Sequence, residues 1–159
     1  EYFGKTVSYV PSSGDRFIWA IGSIQAKEEL LSVLLERGFI FIELIHPTAV
    51  IADTARIGMG AVMCPYSSIS AGATIGNFVT INAFCSIGHD VEVGDNCTIS
   101  SHVDLTGRVN VGAAVFFGTG ARVLPNVTVE RNARIGAGAV VASKVKSGVT
   151  MYSPLAKAL

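Results

Sequence analysis

A large apolar residue returns every six positions along most of this chain, without a break. The seventeen positions are Ile45, Ile51, Ile57, Met63, Ile69, Ile75, Ile81, Ile87, Val93, Ile99, Leu105, Val111, Phe117, Val123, Val129, Ile135 and Val141. A small residue follows four positions after each of them, as at Ala49, Ala55 and Ala61. A helix would space its apolar residues by three and four, and a single strand by two, so neither explains a period of six. The period predicts short strands joined by corners and stacked into a solenoid, since one repeat cannot bury its apolar face alone.

Glycine often stands directly after the large apolar residue, as at Gly58, Gly76 and Gly88. We expect these glycines to let the backbone turn at the corners. Burying one Ile or Val contributes roughly 1.5 to 3 kcal/mol, and ordering each residue of backbone costs about 1 to 2 kcal/mol. A single repeat is therefore unstable by itself, and stability has to come from the stack.

Composition excludes several classes of protein. The chain has 159 residues, half of them hydrophobic, and no formal net charge. Lys and Arg are scattered singly, and no apolar run reaches the roughly 18 residues of a membrane span, so we expect neither nucleic-acid nor membrane binding. Cys64, Cys85 and Cys97 form no CxxC element. Two of them occupy inward positions of the repeat, which predicts core residues in a reduced, cytoplasmic setting and no metal site.

The first 44 residues do not follow the repeat. Residues 16–21 and 39–42 are short apolar runs that predict strands. Between them, residues 24–37 predict a helix that Ser23 caps and Gly38 ends. The expected apolar face of this helix comprises Leu30, Leu31, Val33 and Leu34. Two strands and one helix are too little to fold independently.

The pattern of an aliphatic residue, Gly and a small residue resembles the left-handed parallel β-helix of the hexapeptide-repeat acyltransferases. In that family three hexads make one triangular coil, which implies nearly six coils over residues 45–146 and a tail over 147–159. Residues 81–107 read INAFCSIGHDVEVGDNCTISSHVDLTG. They are similar to a narrower group, the bacterial sugar acetyltransferases of surface-polysaccharide, protein-glycan and sialic acid synthesis. The resemblance implies acetyl-CoA as the donor, a nucleotide-linked amino sugar or a sialic acid as the acceptor, and a homotrimer.

Residues 1–44 resemble the second half of the Rossmann-like, nucleotide-sugar-binding domain that precedes the β-helix in those enzymes. The match comprises Ala20-Ile21-Gly22, the helix, and Ile45-His46-Pro47-Thr48-Ala49. The family's first strand and Gly-rich turn have no counterpart after Glu1. We expect a preceding segment, not the loss of half a domain, because a severed α/β unit would expose strand edges. The resemblance implies that Gly22 contacts the nucleotide, and helix N-termini favour phosphate in any case.

His89, followed by Asp90, is the leading candidate for a catalytic base. An imidazole can accept a proton at neutral pH, and a neighbouring carboxylate can orient its tautomer. The residues alone leave open a solvent-exposed histidine at a corner. The resemblance implies that His89 deprotonates the acceptor amine or hydroxyl, that Asp90 supports it, and that Asn82 lies near the acceptor.

Gly107 follows His89 by eighteen residues, which is one full coil. Its N–H is expected to meet the thioester carbonyl as negative charge develops there, although a plain corner glycine is equally compatible with the spacing. Later residues are expected to continue the same column and, by the resemblance, to line the groove for the pantetheine arm: Gly118, Thr119, Gly136 and Ala137.

Thr98 stands where the resembled enzymes have a second histidine that touches acetyl-CoA, so a hydroxyl contact is expected in its place. His102 is an alternative contact from a different corner. His46 is expected to pack at the junction with the N-terminal segment. In the tail, the family's Gly-x-Pro-Ala-Lys motif is replaced by Ser-Pro-Leu-Ala-Lys at 153–157.

Two other classes of β-helix stay open. A structural or ice-binding coil would show ranks of identical Thr or other polar residues on one face, and none is present. A metal-dependent hydratase of the carbonic anhydrase type needs a closely spaced His pair and a third His. The three histidines are His46, His89 and His102, with separations of 43 and 13 residues.

Overall fold

The computed structural model describes residues 8–154, which form one helix, α1 (Ile24–Glu36), and eighteen two-residue strands. In chain order the strands are β1 (Leu44–Ile45), β2 (Val50–Ile51), β3 (Arg56–Ile57), β4 (Val62–Met63), β5 (Ser68–Ile69), β6 (Thr74–Ile75), β7 (Thr80–Ile81), β8 (Ser86–Ile87), β9 (Glu92–Val93), β10 (Thr98–Ile99), β11 (Asp104–Leu105), β12 (Asn110–Val111), β13 (Phe116–Phe117), β14 (Arg122–Val123), β15 (Thr128–Val129), β16 (Arg134–Ile135), β17 (Val140–Val141) and β18 (Thr150–Met151).

The strands form three parallel sheets, because every third strand stacks on its predecessor. Sheet A has seven strands in the order β1-β4-β7-β10-β13-β16-β18. Sheet B has six, β17-β14-β11-β8-β5-β2, and sheet C has five, β15-β12-β9-β6-β3. Residues eighteen apart pair directly, such as Ile81 with Ile99. The predicted parallel β-helix of nearly six coils is confirmed, and its topology is consistent with the left-handed form.

Each coil has three corners, which we name by the sheets they join. Corner AB contains residues 82–85 and their equivalents eighteen residues apart, corner BC residues 88–91, and corner CA residues 94–97. The third residue of each four-residue corner commonly has a positive φ, as at Phe84 (61°), Asp90 (56°) and Asn96 (61°).

The predicted inward positions form the core. From Met63 to Val141 every large apolar residue of the repeat is at most 3% exposed, and Cys85 and Cys97 lie among them. The first coil differs: Ile45 is 43% exposed, and Ile51 and Ile57 are only partly buried. No earlier coil of the described residues covers that end of the stack.

The glycines that follow large apolar residues of the repeat serve another purpose than the one predicted. Gly88 has no positive φ. A Cβ built on it would lie 2.8 Å from the backbone nitrogen of Gly107 on the next coil. These glycines therefore allow two coils to approach closely, whereas the sharp turn falls two residues later, as at Asp90.

Helix α1 begins and ends close to the predicted positions. Ser23 is its N-cap and accepts a hydrogen bond from the Ala26 N–H at 3.3 Å. The buried face contains Ile24, Lys27 and Leu34, whereas Val33, predicted to face inward, is 45% exposed.

The two strands predicted around α1 are reduced to a single parallel bridge between Phe17 and Phe41. A Rossmann-like sheet is not shown. An aromatic cluster holds this segment against the stack: the Trp19 and Phe41 rings lie 5.1 Å apart, and Trp19 and Phe78 lie 5.7 Å apart. Since Phe78 belongs to the corner CA between β6 and β7, the segment packs where the second coil passes into the third.

The stack continues beyond residue 146, where the tail was expected to leave it. Thr150 pairs with Arg134, and Val145 forms a bridge with Val129. Both offsets are sixteen residues, not eighteen, so the last coil is two residues short. The predicted tail is therefore wrong for 150–151, and residues 155–157 of its motif lie outside the described residues.

Candidate active site

His89 and Asp90 lie together at corner BC of the third coil. The His89 Nδ1 and an Asp90 carboxylate oxygen are 2.9 Å apart, and their side chains are 53% and 62% exposed. The positive φ of Asp90 reverses the chain here, and its N–H donates to the Ala71 carbonyl at 3.0 Å. The backbone thus fixes the carboxylate beside the imidazole, and the second ring nitrogen remains available.

Gly107 provides the surface on which the His89 ring rests. A Cβ at residue 107 would collide with His89 Nε2 and would lie 2.8 Å from Cε1 and 3.0 Å from Cδ2. The next residue, Arg108, donates its N–H to the His89 carbonyl at 2.9 Å. Only glycine lets the ring lie against the backbone at this position, so the structure brings Gly107 and His89 together as the spacing predicted.

The Gly107 N–H donates to no protein acceptor within residues 8–154. A backbone donor left free beside a candidate base suits the stabilisation of a developing oxyanion. The oxyanion role itself stays a prediction. With Nδ1 engaged by Asp90, Nε2 is the atom of His89 that can accept a proton from an incoming nucleophile.

The predicted groove residues lie at corner AB, not in the column of His89 and Gly107. Gly118 follows His89 by 29 residues, which is not a multiple of the eighteen-residue coil. The whole width of sheet B separates the two corners in one chain. Corner AB carries the predicted residues Asn82, Gly118, Thr119, Gly136 and Ala137.

Corner AB contains open backbone as well as anchored side chains. A Cβ added to Gly120 or Gly138 would meet nothing within 4 Å. At Gly118 it would lie 2.6 Å from the backbone nitrogen of Ala137, so that glycine is required by coil stacking. The Asn82 side-chain amide donates to the Ile99 carbonyl at 3.0 Å.

Thr98 lies apart from both corners, on the outer face of sheet A. It is 3% exposed, and its buried hydroxyl has no hydrogen-bond partner among residues 8–154. The residue before it, Cys97, accepts a hydrogen bond from Lys27 of α1 through its carbonyl at 3.0 Å. The N-terminal segment thus packs beside the strand of Thr98, and the predicted contact with the cofactor stays a prediction.

Lys27 is a buried cation that sequence reasoning missed. It has no exposed surface, and its Nζ also donates to the Phe78 carbonyl at 2.8 Å and to the Thr80 hydroxyl at 3.1 Å. Burial lowers the pKa of Lys27 from 10.5 to about 8. Lys27 stands three and seven positions before apolar residues of α1, and so shares their face of the helix. A lysine normally predicts a solvent-exposed position, so this spacing did not indicate that Lys27 faces inward.

Three exposed rings form a second feature that was missed. Tyr66 and Phe84 stack with centroids 5.2 Å apart, and Phe84 and His102 with centroids 5.0 Å apart and planes 4° from parallel. They occupy equivalent positions of corner AB on successive coils. The eighteen-residue spacing of three ring-bearing residues was the available signal.

The other sequence candidates lie outside these clusters. His46 Nδ1 lies 2.9 Å from the Thr48 hydroxyl, at corner AB of the first coil. Gly22 is exposed at the N-terminus of α1. Over residues 8–154, no group of three His, Cys, Asp or Glu side chains is placed to hold a metal ion. Within the same range, no helix is both long and apolar enough to cross a bilayer.

Comparison with known proteins gives a family and several similar structures. Residues 72–106 and 108–143 match the model of the bacterial transferase hexapeptide family (six repeats). PerB from Caulobacter crescentus, solved with CoA and GDP-perosamine, is 33% identical, with a TM-score of 0.84 over 87% of this chain and 67% of that chain. The acetyltransferase domain of PglB from Neisseria gonorrhoeae, solved with acetyl coenzyme A, is 29% identical, with a TM-score of 0.80 over 88% of this chain and 68% of that chain.

A third similar structure is WeeI from Acinetobacter baumannii, 27% identical with a TM-score of 0.86 over 90% of this chain and 70% of that chain. No curated protein sequence matches the chain. The chain spans about two thirds of the length of the perosamine N-acetyltransferase structures, 66% of one and 67% of another. The hexad repeat, the parallel β-helix and these matches show that the chain belongs to the hexapeptide-repeat transferases, among the sugar acetyltransferases of the β-helix type.

Proposed function

We propose that this protein transfers an acetyl group from acetyl-CoA to the amine of a nucleotide-linked amino sugar, with His89 as the general base. The observation that carries the proposal is the His89–Asp90 contact of 2.9 Å beside the Gly107 N–H, which has no acceptor within residues 8–154. Two of the similar structures support the choice of donor and acceptor, since one was solved with CoA and GDP-perosamine and the other with acetyl-CoA.

The residues at corner BC fit acyl transfer. Acetyl-CoA supplies an activated acetyl thioester, and its carbonyl carbon is the site of attack. Asp90 accepts a hydrogen bond from His89 Nδ1 and so holds the proton on that nitrogen. His89 Nε2 takes the proton of the attacking amine, and the Gly107 N–H stabilises the negative charge on the carbonyl oxygen. The same proton can then pass from Nε2 to the departing sulfur, so His89 ends the cycle neutral.

Corner AB fits the donor's extended arm. Gly120 and Gly138 present backbone without side chains, and the space around them is open. A narrow chain of amide groups can therefore lie along this corner next to Gly118, Thr119, Gly136 and Ala137. Their assignment to the cofactor is part of the proposal, as is that of Thr98 or His102.

We propose a homotrimer, because corners AB and BC cannot meet within one chain. The width of sheet B separates Asn82 and Gly118 from His89. A neighbouring chain with a parallel coil axis can place its corner AB against corner BC of the first. Cyclic closure by three chains then completes three identical sites.

Light scattering tests the trimer directly, and a monomer at micromolar concentration would contradict the shared site. A sharper test refolds His89→Ala and Asn82→Ala chains together. If two chains build each site, the mixture contains some sites with both native residues and recovers activity that neither variant shows alone. A mixture no more active than the sum of its parts would place the whole site in one chain.

A thiol-release assay with acetyl-CoA and a panel of acceptors tests the reaction. The panel contains nucleotide-linked amino sugars, free amino sugars and sialic acids. We expect turnover with an amino sugar linked to a nucleotide, consistent with contacts at Gly22 and the N-terminus of α1. Turnover only with sialic acid hydroxyls would change the acceptor, and silence across the panel would contradict the activity. We place the protein in the cytoplasm, where reduced thiols such as Cys64 persist.

A further inference from the structure

We propose that Arg108 binds an anionic group of the acceptor, a carboxylate or a phosphate, and so selects charged acceptors at this site. The inference rests on the proposed function and adds a specificity residue to it. Arg108 directly follows Gly107 and is exposed at corner BC. It is thus the cation that the fold places next to the surface supporting the His89 ring.

Arg108 is held in place by a neighbour on the next coil. Its Nε donates to the Asn126 side-chain carbonyl at 2.8 Å. A guanidinium carries five N–H donors, and the two terminal nitrogens of Arg108 have no acceptor among residues 8–154, so they can form the paired hydrogen bonds that carboxylates and phosphates accept. The Asn126 contact reduces the rotamer freedom of a long side chain, which pre-organises it for a ligand.

The charge of Arg108 is not neutralised within residues 8–154. Their ion pairs are His89–Asp90 and Lys144–Glu130. Asp90 occupies the equivalent corner position one coil below Arg108, but its carboxylate contacts His89. The Arg108 guanidinium instead turns the opposite way, towards Asn126. Within residues 8–154, an oriented cation without a carboxylate partner is therefore present at corner BC, on the coil after that of the candidate base.

The spacing of the coils indicates which substrate supplies the anion. Adjacent strands lie about 5 Å apart, so a guanidinium tethered to Asn126 sits roughly one coil above Gly107. The phosphates of CoA are separated from its thioester by the full pantetheine arm, which is much longer than one coil. A carboxylate or sugar-linked phosphate on the acceptor lies only a few bonds from the reacting amine or hydroxyl. The acceptor is thus the source that fits.

The test compares Arg108→Gln with the wild-type protein on three acceptors: a nucleotide-linked amino sugar, a free sialic acid and a free amino sugar that carries no anionic group. For the acceptor that carries the bound anion, we expect KM to rise about 10- to 100-fold, because a hydrogen bond to a charged group is lost. The kcat should change little, since the interaction is uniform between ground and transition states. For the free amino sugar, KM and kcat should be the same in the wild-type protein and in Arg108→Gln.

Matched variants separate binding from general effects. Arg131→Gln removes an exposed arginine from corner CA and should leave every KM unchanged. Asn126→Gly keeps the positive φ of 64° but removes the tether, and should raise the same KM as Arg108→Gln by a smaller factor. Arg108→Lys should restore part of the affinity, since it keeps the charge without the paired donors.

Two outcomes would overturn the inference. One is an unchanged KM for every charged acceptor, and the other is an increase confined to acetyl-CoA, which would assign Arg108 to the donor. If the wild-type protein acetylates no acceptor, the proposed function fails, and calorimetric titration with uridine diphosphate and free sialic acid decides the anion question. Weaker binding to Arg108→Gln than to Arg131→Gln would support the anion site, and equal binding would reject it.

Discussion

The His89 imidazole lies against the backbone of Gly107, so closely that any side chain at residue 107 would occupy the space of Nε2. Two residues eighteen apart in sequence thus set the position of the atom proposed to accept a proton. In this contact the side chain of His89 can rotate, whereas the backbone of Gly107 is part of the stacked coil. A change at residue 107 should therefore alter catalysis far more than stability.

Gly107→Ala tests this relationship. Gly107 has no positive φ, so its backbone tolerates alanine and the His89 ring must move instead. A displacement of about 1 Å can lower a rate by about 10²-fold, and we expect a fall of that order in kcat. The melting temperature should stay close to that of the wild type. Gly14→Ala is the control, since nothing lies within 4 Å of its added Cβ; equal activity of the two variants would refute the proposed position of the ring.

His89→Ala should lower kcat by about 10² to 10⁴, the usual contribution of a general base. Asp90→Asn should cost less, because asparagine tolerates the positive φ of 56° and retains an acceptor for Nδ1–H. Both side chains are more than half exposed, so neither change should lower the melting temperature. Affinity for CoA, measured by calorimetry, should be unchanged. Loss of activity only through dissociation of the oligomer would contradict the assignment of His89 as the base.

Lys27 gives a pH dependence of stability with a defined sign. Burial lowers its pKa to about 8 in the folded state, against 10.5 in the unfolded chain. Between these values the unfolded chain binds the extra proton, so the free energy of unfolding should rise as the pH rises above 8. The buried thiols of Cys85 and Cys97, whose pKa is raised to about 11, act in the opposite direction above pH 9.

The useful window for that measurement is therefore pH 7 to 9. Urea unfolding of the wild type and Lys27→Met should diverge across it, with the wild type gaining about 1 kcal/mol relative to the variant. Lys144→Met, which changes an exposed lysine, is the matched control and should run parallel to the wild type. Parallel curves for Lys27→Met as well would show that Lys27 keeps its ordinary pKa in the folded state.

The three cysteines should differ in reactivity. Cys85 and Cys97 are at most 2% exposed, and burial raises the pKa of each thiol to about 11, whereas Cys64 is only partly buried. Since the thiolate is the reactive form, an aromatic disulfide reagent at pH 8 should modify Cys64 first. Modification of all three should follow unfolding in guanidinium. Rapid reaction of three thiols in the native protein would contradict the packing of the coil.

The six-residue period predicted the fold because a large apolar residue is required at the same position of every hexad. It identified the inward residues from Met63 to Val141, and the eighteen-residue offset correctly placed Gly107 beside His89. The same arithmetic was misapplied to Gly118, which belongs to corner AB. In a solenoid, sequence spacing thus locates a residue correctly when it is used to assign both the corner and the coil to which the residue belongs.

Other features depend on contacts that no local pattern encodes. Lys27 faces inward because carbonyls of Phe78 and Cys97, more than fifty residues away in sequence, accept its hydrogen bonds. The collision at Gly107 depends on a ring supplied by the preceding coil. The two strands predicted around α1 form a single bridge, between Phe17 and Phe41, and local propensity does not report whether a short apolar run finds a longer pairing partner.

The shortened final coil has a consequence for association between molecules. Over the described residues, sheet C ends at β15 with only the Val145 bridge beyond it, sheet B ends at β17, and sheet A extends to β18. The three edges therefore finish at different heights, and no level triangle of unpaired strands is presented. Since a flat, open edge is what recruits a further strand, the uneven edge that the described coils form after β15, β17 and β18 is a poor template for adding a strand at that point of the stack.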